Sequence, residues 1–209
     1  MCVLRIKNLL YSYDSRSSFT FPDIELKSGE NLLILGESGI GKTTFLHLIA
    51  GLLSPNSGTI ELMGTVLNRL SSRKLDQFRG RHIGLVFQRP HFINAISIEE
   101  NLSLIQYLTK RRDDIRIQEV LIRLGIDHKA ANRPYQLSQG EQQRAAIAMA
   151  LVNHPQLILA DEPTSSLDDR NCLKVVTLLK DQAKDAGSQL IIITHDKRLK
   201  TQFKNTLHL

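Results

Sequence analysis

Apolar residues in this chain fall in short runs of two kinds. Leu32-Leu33-Ile34-Leu35, Leu157-Ile158-Leu159-Ala160 and the stretch at residues 189–194 are continuous blocks, as expected of strands buried on both faces. Residues 83–87 read the same way. Residues 3–13 and 19–26 are β-prone and separated by Asp14-Ser15-Arg16-Ser17-Ser18, which predicts an antiparallel, hairpin-like flank. A turn cluster at residues 54–58 precedes another strand at 59–63, and residues 71–79 look helical.

From residue 89 to 153 the strand pattern stops. Ser97-Ile98-Glu99-Glu100 is a capping box opening a helix towards Leu108. Ile117, Val120, Leu121 and Leu124 mark a second helix that Gly125 ends, and a third spans 142–153, with Ser138 and Gly140 before it. A long helix then runs from the loop at 164–168 to about Ala186, where Gly187-Ser188 breaks it. The pattern predicts one α/β domain over residues 1–209. Its core, residues 1–88 and 154–209, carries a mostly parallel sheet with an antiparallel β flank, and residues 89–153 form a helical subdomain.

Composition narrows the class. The 42% hydrophobic content supports an ordinary globular core, and no apolar run approaches the roughly 18 residues of a membrane span. Met1-Cys2-Val3-Leu4-Arg5 does not read as a secretory leader. Cys2 and Cys172 lack metal-ligand spacing, which fits a reduced, cytoplasmic setting. The net charge of +6 is spread along the chain, and Lys110-Arg111-Arg112 meets Asp113-Asp114 at once, so no nucleic acid is expected.

The chemistry centres on Gly36-Glu37-Ser38-Gly39-Ile40-Gly41-Lys42-Thr43-Thr44, which fits the phosphate-loop pattern G-x-x-x-x-G-K-[ST] between a buried strand and a helix. Backbone N–H groups and the helix dipole converge there on one anion. Gly36, Gly39 and Gly41 allow close approach, Lys42 is placed to reach the β/γ-phosphates, and Thr43 to offer its hydroxyl to Mg²⁺. The two-residue strand period puts Tyr11 and Tyr13 on one face, where either ring could stack on a base. Gln88, Asp161-Glu162 and His195 each follow a buried strand, the position where open α/β sheets bind ligands. Asp161 could hold Mg²⁺ and Glu162 polarise an attacking water. Ser138 before a helix is a cap or part of a second anion site.

In this order, the phosphate loop, Gln88, Leu137-Ser138-Gln139-Gly140-Glu141, Asp161-Glu162, Ser166-Leu167-Asp168 and His195 resemble the nucleotide-binding ATPase of ABC transporters across essentially the whole chain. The resemblance implies a P-loop NTPase fold and a head-to-tail dimer around ATP and Mg²⁺. ATP would lie on residues 36–44, with Tyr13 stacking on adenine and Tyr11 as the alternative. Thr43, Gln88 and Asp161 would hold the metal, Glu162 would be general base, and His195 and Gln88 would sense the γ-phosphate and the water. Ser138, Gln139, Gly140 and Glu141 would meet the nucleotide of the second subunit, and Asp168 would lie in the dimer loop.

The stretches at 140–144 (G-E-Q-Q-R) and 159–164 (L-A-D-E-P-T) resemble the lipoprotein-release, macrolide-export and cell-division subgroup. That resemblance implies a separate integral membrane permease, received in a groove around residues 87–101, and a peripheral place on the inner face of the cell membrane. It implies a homodimer before a heterodimer. The short tail after His195 argues against an importer ATPase with a regulatory domain. The alternative within the subgroup is an ATPase that signals through its membrane partner. Absence of a long coiled coil and of a second motif set separates the chain from chromosome-organising and translation-factor ATPases. Departures from the family pattern are Ile40, Thr43, Gln139, Glu141, Met149 and Ser165, the last where glycine is usual.

Overall fold

The computed structural model describes residues 2–14, 18–165 and 168–209; the expected turn residues Ser15 to Ser17, the loop residues Ser166 and Leu167, and the Cys2 side chain lie outside the described set. The chain begins with β1 (Cys2–Ser12), β2 (Ser18–Thr20), β3 (Ile24–Lys27) and β4 (Leu32–Leu35). Helix α1 (Lys42–Ile49) follows, then β5 (Ser57–Leu62), β6 (Thr65–Val66), α2 (Ser72–His82) and β7 (Ile83–Val86). Next come α3 (Ile98–Leu108), α4 (Asp114–Arg123) and α5 (Gln139–Leu151). The chain returns through β8 (Leu157–Asp161), α6 (Asp169–Asp185), β9 (Gln189–Thr194) and β10 (Asn205–His208).

Strands β10, β4, β9, β8 and β7 lie side by side in that order, all parallel. The continuous apolar runs of β4, β9 and β8 are explained by coverage of both faces. Leu33, Leu35, Ile158, Ala160, Leu190 and Ile192 pack in one cluster with Ile147 and Leu151 of α5 and Val176 and Leu179 of α6. Their neighbours Leu32, Ile34, Leu157, Leu159, Ile191 and Ile193 pack in another, with Phe45 and Ile49 of α1 and Leu4, Ile6, Ile60 and Leu62 of the second sheet. The two-residue period thus splits each strand between two cores. The fold is the expected α/β arrangement, with a parallel core sheet, an antiparallel flank and helices inserted between β7 and β8.

The flank is organised by β1, which pairs antiparallel with β2, β3 and β5. The single strand expected at residues 19–26 is two. Pro22 has no N–H for a ladder, and Asp23 Oδ1 instead accepts the N–H of Asn8 at 2.7 Å. Asn8 has φ 51° and lies where the β1–β5 register shifts, a bulge that divides the part of β1 facing β3 from the part facing β2.

One expectation about a boundary is corrected. Helix α5 starts at Gln139 rather than 142, so Gly140 lies in its first turn instead of before it. The cause is a capping box, with Ser138 and Glu141 satisfying each other's backbone N–H groups. The tail after His195 is also structured: a 3₁₀ segment (Lys197–Gln202) leads into β10, which adds to the core sheet beside β4.

Gly84 of β7 is a place where only hydrogen fits, since a Cβ there would lie 2.2 Å from the carbonyl oxygen of Ala150 in α5. Gly84→Ala should therefore force β7 and α5 apart and lower the unfolding free energy by about 1–3 kcal/mol, the usual cost of overpacking. Urea denaturation with an unchanged midpoint would show that this interface has slack.

Candidate functional site

The phosphate loop links β4 to α1, and its geometry depends on two glycines. Gly41 has φ +100°, and a Cβ on it would lie 2.7 Å from the Phe19 ring. At Gly36 a Cβ would crowd Ile40 and the Lys42 stem at 3.0 and 3.4 Å. Helices α3, α4, α5 and α6 are each capped by a side chain, Ser97, Asp113, Ser138 and Asp168 in turn. Helix α1 begins at Gly41 with no side-chain cap, which leaves its first N–H groups open to an anion. Lys42, largely buried, folds back so that Nζ donates to the Glu37 carbonyl at 2.8 Å. Ser38 and Gly39 complete the turn, Gly39 with φ +85° and open space around it.

Beside the loop, an aromatic column rises from the core. Phe45 of α1 stacks on Phe21, Phe21 on Phe19, and Tyr13 meets Phe19 and Tyr11 edge-on. Tyr13 Oη lies 3.0 Å from Thr44 Oγ1, which ties the ring to α1 while 59% of the residue stays exposed. Tyr11 is half-buried. Of the two tyrosines, Tyr13 is the one offering an open ring next to the anion site.

Thr43 donates its hydroxyl to Asp161 Oδ2 at 3.0 Å. The other carboxylate oxygen, Oδ1, is buried without a hydrogen-bond partner. Burial raises the Asp161 pKa, the Thr43 bond opposes the rise, and the neighbouring Glu162 charge adds to it. A hydroxyl and an orphaned carboxylate oxygen are a donor set that fits a hard cation such as Mg²⁺. The expected third member, Gln88, is not joined to this pair: its amide Nε2 donates to Ser165 Oγ at 3.0 Å.

Glu162 follows β8 directly and has φ 46°, a left-handed conformation that costs a non-glycine residue energy and that clusters at functional sites. Its N–H is held by the Ile193 carbonyl at 2.8 Å. Its carboxylate gathers the Thr194 hydroxyl at 2.7 Å, the His195 N–H at 3.1 Å, His195 Nδ1 at 2.9 Å and Lys42 Nζ at 3.6 Å. The sequence reading missed Thr194, whose only signal was its place before His195 at a strand end. It also missed the support behind the histidine. Asp196 binds Thr164 and Arg198, and Arg198 also reaches Asp169. The Arg198 bonds hold the Asp196 carboxyl down at about 2.

The remaining candidates are distributed as follows. Ser138, Gln139, Gly140 and Glu141 open α5, and among the described residues no hydrogen bond or ion pair joins them to residues 36–44. Ser138 Oγ donates to Glu141 Oε2 at 2.8 Å, and Lys129 Nζ lies 3.5 Å from the same carboxylate. Gln139 and Gly140 line a cavity of about 630 Å³ with Gln88, Glu162 and Ser165. Asp168 caps α6 through Asn171. The structure thus gathers Lys42, Thr43, Asp161, Glu162 and His195, and brings Gln88 and the α5 start to a cavity that Glu162 also lines, while among the described residues the α5 start makes no hydrogen bond or ion pair with the phosphate loop.

Residues 21–165 match the family model described as ABC transporter. Among curated proteins, the chain is 34% identical to the lipoprotein-releasing system ATP-binding protein LolD of Bacteroides thetaiotaomicron, over 99% of this chain and 96% of that one. It is 37% identical to LolD of Francisella tularensis over 90% and 83% of the two chains. Among solved structures it resembles a dimer of the ATP-binding cassette MJ0796 in a post-hydrolysis state bound to ADP and Pi, with TM-score 0.85, 32% identity and coverage of 99% and 94%. It also resembles cbiO1 from Clostridium perfringens, part of the ABC transporter complex cbiONQ, with TM-score 0.88, 29% identity and coverage of 99% and 84%.

A raised Asp161 pKa means that the ionised carboxylate is less favourable folded than unfolded. The penalty is present above the ordinary carboxylate range and disappears as pH falls through it. Asp161→Asn, which can still accept from Thr43, should therefore melt higher than the parent at neutral pH without nucleotide. The difference should shrink towards pH 3, and the extra stabilisation from Mg²⁺ with ATP should be lost. A lower melting temperature at pH 7, by calorimetry, would show that the Thr43 bond outweighs burial.

Proposed function

The chain belongs to the ABC transporter family as an ATP-binding ATPase domain, and from that premise we propose that it powers a conformational change in a separate membrane permease of the kind its lipoprotein-releasing relatives suggest. The observation that carries the reading is the convergence of Lys42, Thr43, Asp161, Glu162 and His195 on the uncapped start of α1.

ATP would place its phosphates on the loop from Gly36 to Thr44 and its base against Tyr13. The γ-phosphate would draw Lys42 off Glu162, since the lysine lies between the loop and the carboxylate. Thr43 and Asp161, the latter with its orphaned Oδ1, would hold Mg²⁺, which would supply charge neutralisation. Glu162, freed from Lys42 but still oriented by Thr194 and His195, would take a proton from the attacking water, a role worth about 10²- to 10⁴-fold in rate. Gln88, on the wall of the cavity that Glu162 also lines, would offer its side-chain amide to the metal or the water.

That, among the described residues, Ser138–Glu141 make no hydrogen bond or ion pair with the chain's own phosphate loop supports a head-to-tail dimer, in which each α5 start would meet the nucleotide of the other subunit and the Asp168 loop would lie at the seam. Among the described residues no helix is long and apolar enough to cross a membrane. A cleft of about 240 Å³, lined by Arg79, Phe87, Pro90, His91, Ile105 and Met149, would receive a cytoplasmic element of that permease. On this reading the chain would be a peripheral subunit on the cytoplasmic face of the membrane.

Glu162→Gln should retain ATP binding, lose hydrolysis by about 10²- to 10⁴-fold, and elute as a dimer on gel filtration with ATP and Mg²⁺. Elution as monomer alone would overturn the dimer reading. Ser138→Arg should leave ATP binding to the monomer intact, by calorimetry, while turnover falls to background; unchanged turnover would remove the α5 start from the site.

A further inference from the structure

We propose that Ser165 is a positioning residue for Gln88: its hydroxyl docks the glutamine amide nitrogen on the turn after Glu162 and leaves the amide oxygen for the cavity that Glu162 lines. Parallel pairing of β7 with β8 carries Val86 beside Ala160, so the two strands run out together, Gln88 two residues past the end of β7 and Glu162 one past the end of β8. Ser165 lies in the turn that Glu162 opens, with its N–H on the Glu162 carbonyl at 3.3 Å. The Gln88 Nε2 to Ser165 Oγ bond of 3.0 Å therefore closes a bridge between the ends of neighbouring strands.

The bridge has a chemical consequence because an amide has two unlike ends. Nε2 is a donor only, whereas Oε1 is the atom a cation or a water proton can use. With Nε2 committed to Ser165, Oε1 is left for the cavity that Gln88, Ser165 and Glu162 share. Gln88 is exposed, so without this contact its side chain is free to turn among rotamers in water. The bridge also has a mechanical consequence. Gln88 is the last residue before the helical insertion, and Ser165 is in the turn that positions Glu162, so a displacement of either segment is transmitted to the other through one bond. A side chain without an acceptor at 165, such as alanine, cannot make it.

The inference rests on the ATPase reading for its kinetic arm and not for its spectroscopic one. The side-chain amide resonance of Gln88, assigned by its disappearance in Gln88→Ala, should shift and exchange faster with water in Ser165→Ala, with no nucleotide present. In hydrolysis, Ser165→Ala should raise the Mg²⁺ concentration for half-maximal rate by about 3- to 10-fold, the range of one hydrogen bond, with Mg²⁺-free ATP affinity unchanged. Ser165→Thr should restore both the resonance and the Mg²⁺ dependence. In the Gln88→Ala background, Ser165→Ala should add nothing. An unmoved amide resonance, or additive effects of the two substitutions, would overturn the proposal; an inactive parent chain with a shifted resonance would fault the hydrolysis reading and leave the docking contact established.

Discussion

Parallel pairing of β4, β9 and β8 is the constraint on which the site depends. Leu35 pairs with Thr194 and Asp161 with Ile193, so the three strands end level. That register delivers the phosphate loop, the Asp161–Glu162 pair and His195 to one edge from positions more than a hundred residues apart in sequence. A slip of one residue would turn every side chain to the opposite face. The slip is prevented by burial on both faces, because each strand divides its apolar residues between two cores and neither core tolerates the exchange.

On this frame Glu162 is held at some cost. Its left-handed backbone is a conformation that side chains with a Cβ avoid, and such strain persists only where the surroundings fix it. Here the Ile193 carbonyl fixes the main chain, and Thr194, His195 and Lys42 fix the carboxylate. Behind them, Asp196 anchors the histidine loop to Thr164 and Arg198. Because the Asp196 pKa is lowered to about 2, this anchor contributes stability above the ordinary carboxylate range and loses it as pH falls towards 2.

Much of this was legible in the sequence because it follows from periodicity and local chemistry. Continuous apolar runs gave β4, β8 and β9, and the Ser97–Glu100 box placed α3 at its observed start. What was not legible depends on long-range pairing. Strand β10 has little apolar signal and is made by hydrogen bonding to β4, while β6 is two residues long and exists only through β5. The candidate residues could be listed because each follows a strand. Their grouping could not, since the Lys42–Glu162 pair and the Gln88–Ser165 bond arise from where loops turn after the strands end. Helix α5 was placed late because its first turn is polar and glycine-containing, and the capping box outweighs that composition.

The two helix N-termini near the chemistry are not equivalent, and the difference bears on how a dimer would close. Helix α1 presents bare N–H groups and a lysine, so an anion there gains contacts without displacing any side-chain cap. Helix α5 is already occupied by its own Glu141, whose carboxylate takes the Ser138 N–H and hydroxyl and lies beside Lys129; those contacts lower its pKa and keep it charged at neutral pH. A phosphate arriving from another subunit would have to take the Ser138 hydroxyl from Glu141 and approach a like charge. In the proposed dimer the first anion would thus bind to a prepared site, whereas the second contact would require an exchange, and binding of nucleotide to one chain would precede its capture between two.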